Sequence, residues 1–209
     1  EEEARRYNPL PVLFPPRFIY PYFAMTERGY YMGAATAGWD PLYQHLYSLW
    51  GSYRTDNSFV GYGVTYENNQ LYPSIYGGFY TYSLSYGNLW GYTEPVKTGT
   101  IFPGIYMLED VYYEKRTKGF LGISLPYRVY HSFFLRYNYE RREPLFELPE
   151  NAYEDWIPNR GLFSGISGGW SYQKYYYYPS SISMEDGIRA RVGFTLQSPF
   201  FGGNYEREI

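Results

Sequence analysis

The sequence contains no cysteine. That excludes a disulfide framework and thiolate chemistry. Histidine is nearly absent, with only His45 and His131. Two isolated imidazoles without a spaced carboxylate are no metal signature, and a hydrogen bond beside a turn is the expected role of each. An excess of one charge is also missing: the net charge is −3 over 209 residues. Basic residues are scattered and often adjoin acids, as in Glu140-Arg141-Arg142-Glu143. No electrostatic stripe emerges, so nucleic acid is not an expected partner. No run approaches the ~18–20 apolar residues of a transmembrane helix. The opening EEEARR has no apolar segment of the kind a signal peptide needs. If the protein is exported, this chain is expected to be a mature or internal piece.

What is present is aromatic. Phe, Trp and Tyr make up 23% of the chain, with 30 tyrosines. Mean hydropathy is nevertheless −0.50. Tyr, Phe, Gly, Ser and Thr in place of helix formers favour strands. Low mean hydropathy with abundant rings fits a membrane β-barrel, where half of each strand is polar and the lipid rims take Tyr and Trp. A Tyr-rich soluble β-protein with a binding surface is the alternative.

Residues 1–16 hold Pro9, Pro11, Pro15 and Pro16 and read as an extended Pro-rich lead-in. Residues 17–209 read as one β-domain. Roughly nine strands follow one another between turn signals: Arg17–Thr26, Tyr30–Trp39, His45–Thr55, Phe59–Glu67, Tyr72–Ser85, Asp110–Tyr127, His131–Glu143, Leu162–Tyr178 and Ile188–Leu196. A tenth is expected to begin after Phe200. Successive side chains of a strand face opposite ways. In FVGYGVTYE, Val60, Tyr62 and Val64 oppose Gly61, Gly63, Thr65 and Glu67. In SFFLRYNYE, Phe133 and Leu135 oppose Arg136, Asn138 and Glu140. In GIRARVGFTL, Val192 and Phe194 oppose Arg189 and Arg191. In a soluble sandwich the apolar rows are core; in a barrel they meet lipid and the polar rows line a wet lumen.

The links alternate in length. Asp40–Gln44, Asn68–Leu71, Arg128–Tyr130 and Pro179–Gly187 fall on one rim. Glu27–Gly29, Asp56–Ser58, Tyr86–Glu109 and Pro144–Gly161 fall on the other, which holds both long loops. That asymmetry is the one barrels show between their two sides. The loop with Glu143, Glu147, Glu150, Glu154 and Asp155 offers oxygen ligands for Ca²⁺. It lacks EF-hand-like spacing, so a solvated acidic loop is the expected reading.

Gly165-Ile166-Ser167-Gly168-Gly169 matches G-x-S-x-G. That motif needs a strand-to-helix turn, and no helix signal follows here. We therefore expect no enzyme and no cofactor. The tetrad Tyr175, Tyr176, Tyr177 and Tyr178 ends a strand before Pro179, and Trp39 ends another. Both suit an aromatic girdle at a membrane interface. Glu67, Arg136, Glu140, Arg189 and Arg191 are the expected lumen-facing polar residues. Val60, Tyr62, Val64, Phe133, Leu135, Val192 and Phe194 are the expected lipid-facing ones.

RYNYERREP, GLFSGISGGWSYQKYYYYPSSISMEDGIRARVGFTL and SPFFGGNYE resemble the barrel of bacterial surface-antigen, Omp85-like outer-membrane proteins. They resemble in particular the variety in which a TolB-like propeller precedes the barrel. YNPLPVLFPPRF and GWDPLYQHLYSLWGSY are similar to its first strands. The resemblance implies an all-β antiparallel transmembrane barrel in the bacterial outer membrane of a Gram-negative envelope. It implies a role in inserting or translocating polypeptide or lipid, or in anchoring an envelope complex. A passive pore and a secreted Tyr-rich module for glycan or peptide are the rival readings. Such barrels have more strands than this chain supplies and end on an aromatic residue, where this one ends NYEREI. We expect the first half of a larger barrel. Its partners would be membrane lipid, the remaining barrel or another chain on its open edges, and a periplasmic protein.

Overall fold

A computed structural model of the chain describes residues 10–13, 16–26, 28–92, 105–150, 152, 157–176 and 186–204. Strand formers separated by turn residues give one nine-stranded antiparallel sheet in which each strand pairs with its sequence neighbour. The strands are β1 Phe18–Thr26, β2 Gly29–Trp39, β3 His45–Arg54, β4 Phe59–Asn68 and β5 Ser74–Tyr92. They continue as β6 Ile105–Tyr127, β7 His131–Pro144, β8 Gly161–Tyr176 and β9 Asp186–Gln197. Among the described residues no ladder joins β9 to β1, so the meander is open.

Three segments differ from the expected reading. Leu10–Leu13, in the lead-in, is a single helical turn rather than extended chain (α1). Pro11 falls in a first turn, where a missing N–H costs nothing, and Leu13 is buried. Of the expected loop Tyr86–Glu109, Tyr86–Tyr92 and Ile105–Glu109 are strand, and residues 93–104 lie outside the described residues. β5 runs on to Tyr92 and β6 begins at Ile105, their ladder shifting register around Ser85, Asn88 and Trp90. Gly87 takes φ +90° at that shift, a conformation glycine adopts without strain. After β9 the chain turns through Pro199–Phe201, and Asn204 makes one antiparallel bridge to Leu162.

The connections keep their alternation. Asp40 organises the β2–β3 turn by accepting the His45 N–H at 2.7 Å and the Leu42 N–H at 3.3 Å. Asn57 organises the β3–β4 turn, accepting from Phe59 N–H and donating to Ser83 Oγ at 2.9 Å. Tyr127 and His131 close β6–β7. β5 hands over to β6, and β7 to β8, on the opposite rim.

Register assigns every side chain to one of two faces. Val60, Tyr62 and Val64 share a face with Leu49, Phe79 and Ile75, and through β6 with Leu121 and Ile123. Phe133, Leu135, Ile166, Val192 and Phe194 continue it. This face is open to the surroundings: Val60 is 61% exposed, Val192 65% and Leu196 57%. The largest fully buried side chains are Glu114 and Asp40. The usual arrangement of a water-soluble domain, apolar inside and charged outside, is inverted.

The polar face is concave. A cavity of about 820 Å³ opens there, lined from β1 to β6. A second of about 370 Å³ is lined from β4 to β9. Gly-x-Gly in β4 shapes the larger one. A Cβ on Gly63 would lie 2.3 Å from Trp50 Nε1 and 2.8 Å from Tyr80 Cβ, so the Trp50 indole rests on the bare backbone. Gly63→Val should therefore lower stability by about 1–3 kcal/mol, read from the denaturant midpoint. Gly51→Val, at a site with nothing within 4 Å of its Cβ, should leave the midpoint within about 0.5 kcal/mol.

Candidate functional site

β6 and β7 build the charged part of the concave face. Glu114, Arg116 and Lys118 alternate along β6 and stand opposite Pro144, Arg142 and Glu140 of β7. Glu140 is the hub. Its Oε1 accepts from Arg142 Nε at 2.8 Å and lies 3.4 Å from Arg116 Nη1, and its Oε2 lies 3.2 Å from Lys118 Nζ. Arg116 also bridges to Glu114 and to the Tyr86 hydroxyl. Glu114 is fully buried, with Oε2 lacking a hydrogen-bond partner, and so is the nearby Tyr112 hydroxyl. A carboxylate is tolerated there because its other oxygen meets a guanidinium and a phenol. Across β3, Arg54 forks onto Asp56 at 2.6 and 3.1 Å.

Rings also carry the cationic surface. Lys118 lies 5.7 Å from the Tyr82 ring and Arg142 4.3 Å from Phe163. Arg136 sits 5.5 Å from Phe120, and Arg191 5.5 Å from Phe134. Such contacts stabilise a cation that has left bulk water.

Glu67, Arg136, Glu140, Arg189 and Arg191 all fall on this face. Glu67 pairs with Tyr76 across β4–β5, Arg136 with Gly122 and Ser167, and Arg191 with Ser171. They do not form one cluster. Glu140 belongs to the ionic hub, while Glu67, Arg189 and Arg191 line the smaller cavity. Glu114, Arg116, Lys118 and Arg142 were not anticipated. For the first three the signal is present in YEKRTKG, where charges two residues apart must share a face.

Ser167 lies in the middle of β8, buried, and its Oγ accepts from Asn138 Nδ2. The strand runs through it, so the nucleophile-elbow turn is not there. His45 is buried beside the β2–β3 turn with Nδ1 2.7 Å from the Tyr66 hydroxyl. His131 Nδ1 accepts from Trp170 Nε1 at 3.0 Å. Among the described residues no group of three or more His, Asp or Glu is placed to hold a metal ion. Of the acidic loop, Glu143 pairs with Arg141, while Glu154 and Asp155 lie outside the described residues.

The outward aromatic residues differ from the expected belt. β2 parity sets Trp39 with Ala35 and Ala37 on the concave face. There it stacks on Tyr43 at 6.3 Å and lies 5.9 Å from the Arg17 guanidinium. Position at a strand end suggested a belt; the pleat decides the side. Tyr175 and Tyr176 pair with Gly187 and Asp186 at the end of β8, and Tyr177 and Tyr178 lie outside the described residues. The outward rings at the short-turn rim are instead Tyr127, Tyr130, Trp170 and Tyr172 around His131. Arg128 and Lys174 lie over Tyr127 and Tyr130.

Comparison of the chain with family models, with curated proteins and with solved structures finds no match.

Glu140→Gln removes the negative charge, and one of the two acceptor oxygens, shared by Arg116, Lys118 and Arg142. Breaking a buried pair costs ~3–5 kcal/mol. With Glu140 still 18% exposed, about 2–3 kcal/mol is expected in denaturant titration. Arg141→Gln, in the exposed pair with Glu143, should cost less than about 1 kcal/mol. Equal losses would mean that Glu140 is no hub.

Proposed function

We propose that this chain forms wall of an Omp85-like β-barrel in the bacterial outer membrane. One observation carries the reading: the outward face is exposed and apolar across the sheet, and rings with cations border it at the short-turn rim. Phe79, Gly119 and Tyr139 stand in one outward register row, and the next row up is Thr81, Thr117 and Arg141. The row above is Ser83, Lys115 and Glu143. On β5, β6 and β7 the outward row therefore changes from apolar to polar towards the long-link rim, while Tyr62 of β4 and Leu162 of β8 stand in the Thr81 row. The lower edge is the row Tyr127, His131 and Tyr172, with Arg128 and Lys174 beside it. Rings backed by cations suit a lipid interface. The outward row of β9 from Ile188 to Leu196 covers ~26 Å of strand. That is roughly 20 Å of height at a ~40° tilt, near the ~25 Å apolar band of membrane barrels.

In lipid an unpaired strand edge costs several kcal/mol per backbone group. The outer edges of β1 and β9 therefore take a partner: the remaining barrel of the same polypeptide, a second chain or further copies. The concave face then borders a lumen, in which paired or wet charge is tolerated. Moving or inserting polypeptide or lipid, or anchoring an envelope complex with a periplasmic partner, is the role we assign. A passive pore shares this architecture. The aromatic-lined cavity of about 820 Å³ is what favours a secreted glycan- or peptide-binding module instead.

Spin labels placed singly at Val60, Tyr62, Val64, Phe133, Leu135, Val192 and Phe194 should be relaxed by a lipid-soluble quencher. Labels at Gly63, Arg136 and Arg191 should respond to a polar one. The reverse pattern rules out the membrane reading, and recovery of the protein in the soluble fraction of cells favours the secreted module. Conductance in planar bilayers separates a pore from an anchor.

A further inference from the structure

Charge on the concave face divides by height. Towards the long-link rim, Arg54, Arg116, Lys118 and Arg142 each pair with a carboxylate. Towards the short-turn rim, Arg136, Arg189 and Arg191 pair with no carboxylate among the described residues, and Arg136 Nε is buried without an acceptor. Arg189 and Arg191 are two residues apart on one face of β9, hence about 7 Å apart along the strand. Both line the cavity of about 370 Å³, with Gln173, Ser171 and Ser132 beside them and Glu67 on the far wall. Phe134 holds the Arg191 guanidinium in place at 5.5 Å. Ser132 Oγ and Ser171 Oγ are 2.9 Å apart. Only one of those two hydroxyl hydrogens lies between the oxygens, so the other is free to donate outward.

We infer that this cavity is an anion subsite for a phosphate group. The lining offers guanidinium, hydroxyl and amide donors against one carboxylate. Two unpaired guanidiniums repel each other, and an anion seated between them turns that repulsion into two attractions. Guanidinium forks match phosphate oxygens bidentately. A cavity this size exceeds inorganic phosphate, so a phosphorylated small molecule or a lipid headgroup fits with its phosphate against β9. Glu67 on the opposite wall disfavours a second anionic group and so selects a single phosphate. The inference deepens the barrel reading by naming cargo chemistry, and rests on it only in placing the cavity beside a lumen.

The test is calorimetric titration of the protein, extracted in non-ionic detergent, with inorganic phosphate and separately with dihexanoyl phosphatidic acid. At least one should bind saturably. Arg189→Gln with Arg191→Gln should weaken it by about tenfold per guanidinium, and Glu67→Gln should tighten it. Binding of inorganic phosphate points to a soluble ligand, and binding of the phosphatidic acid alone to a lipid headgroup. No saturable binding of either, or an unchanged affinity in the double variant with unchanged far-UV circular dichroism, overturns the inference. If the double variant does not fold, Glu67→Gln decides alone, and an unchanged affinity there overturns it too. Labels that place the apolar face away from lipid would instead remove the barrel and leave the anion site standing.

Discussion

The pleat of the strand, kept in register through eight successive ladders, is the constraint on which this structure depends. Each ladder places residue opposite residue on one face, so a side chain's parity in one strand is tied to parity in all nine. A slip of one residue anywhere would send Arg136 or Arg191 to the face of Leu135 and Val192. Backbone hydrogen bonds supply the rigidity, and the side-chain pattern supplies the reason to keep one register.

That constraint gives the two faces different means of balancing their chemistry. On the concave face, ions meet ions or rings. Glu140 serves three cations, and phenyl or phenol rings sit beneath five more contacts of Lys and Arg. Glycines make room for those rings: Trp50 lies on Gly63, Tyr76 over Gly122 and Phe120 over Gly78. On the outward face the large side chains stand free, with Met25 at 76% exposure and Ile19 at 71%. In water such a surface would be an aggregation liability. Lipid would remove that penalty.

The two halves of the concave face differ in how complete they are. The upper ionic cluster is closed on itself, so its main effect is to hold β6 and β7 together. Among the described residues the lower cations have no counter-charge, and Phe120 and Phe134 hold Arg136 and Arg191. A closed network stabilises; an open one is available to a ligand.

How much was legible in the sequence follows from the range of each interaction. Alternation is a property of neighbours two apart, so the strands from Phe18 to Gln197 and the two faces of FVGYGVTYE, SFFLRYNYE and GIRARVGFTL could be read directly. Glycine and proline punctuation misled where tertiary partners overrode it. Tyr86 to Tyr92 became strand because β6 supplied a ladder across a bulge, and Leu10–Leu13 became helix because Leu13 found a buried site. The belt expected at Trp39 failed because position along a strand does not fix side. The Glu114, Arg116, Lys118, Glu140 and Arg142 hub brings together residues more than twenty positions apart, which no local pattern encodes. The same holds for the row that sets Thr81, Thr117 and Arg141 side by side. The sequence alone determined that successive side chains of each strand take opposite faces, because the pleat has period two. Only the register between strands decided which side chains meet, because that depends on where each ladder begins.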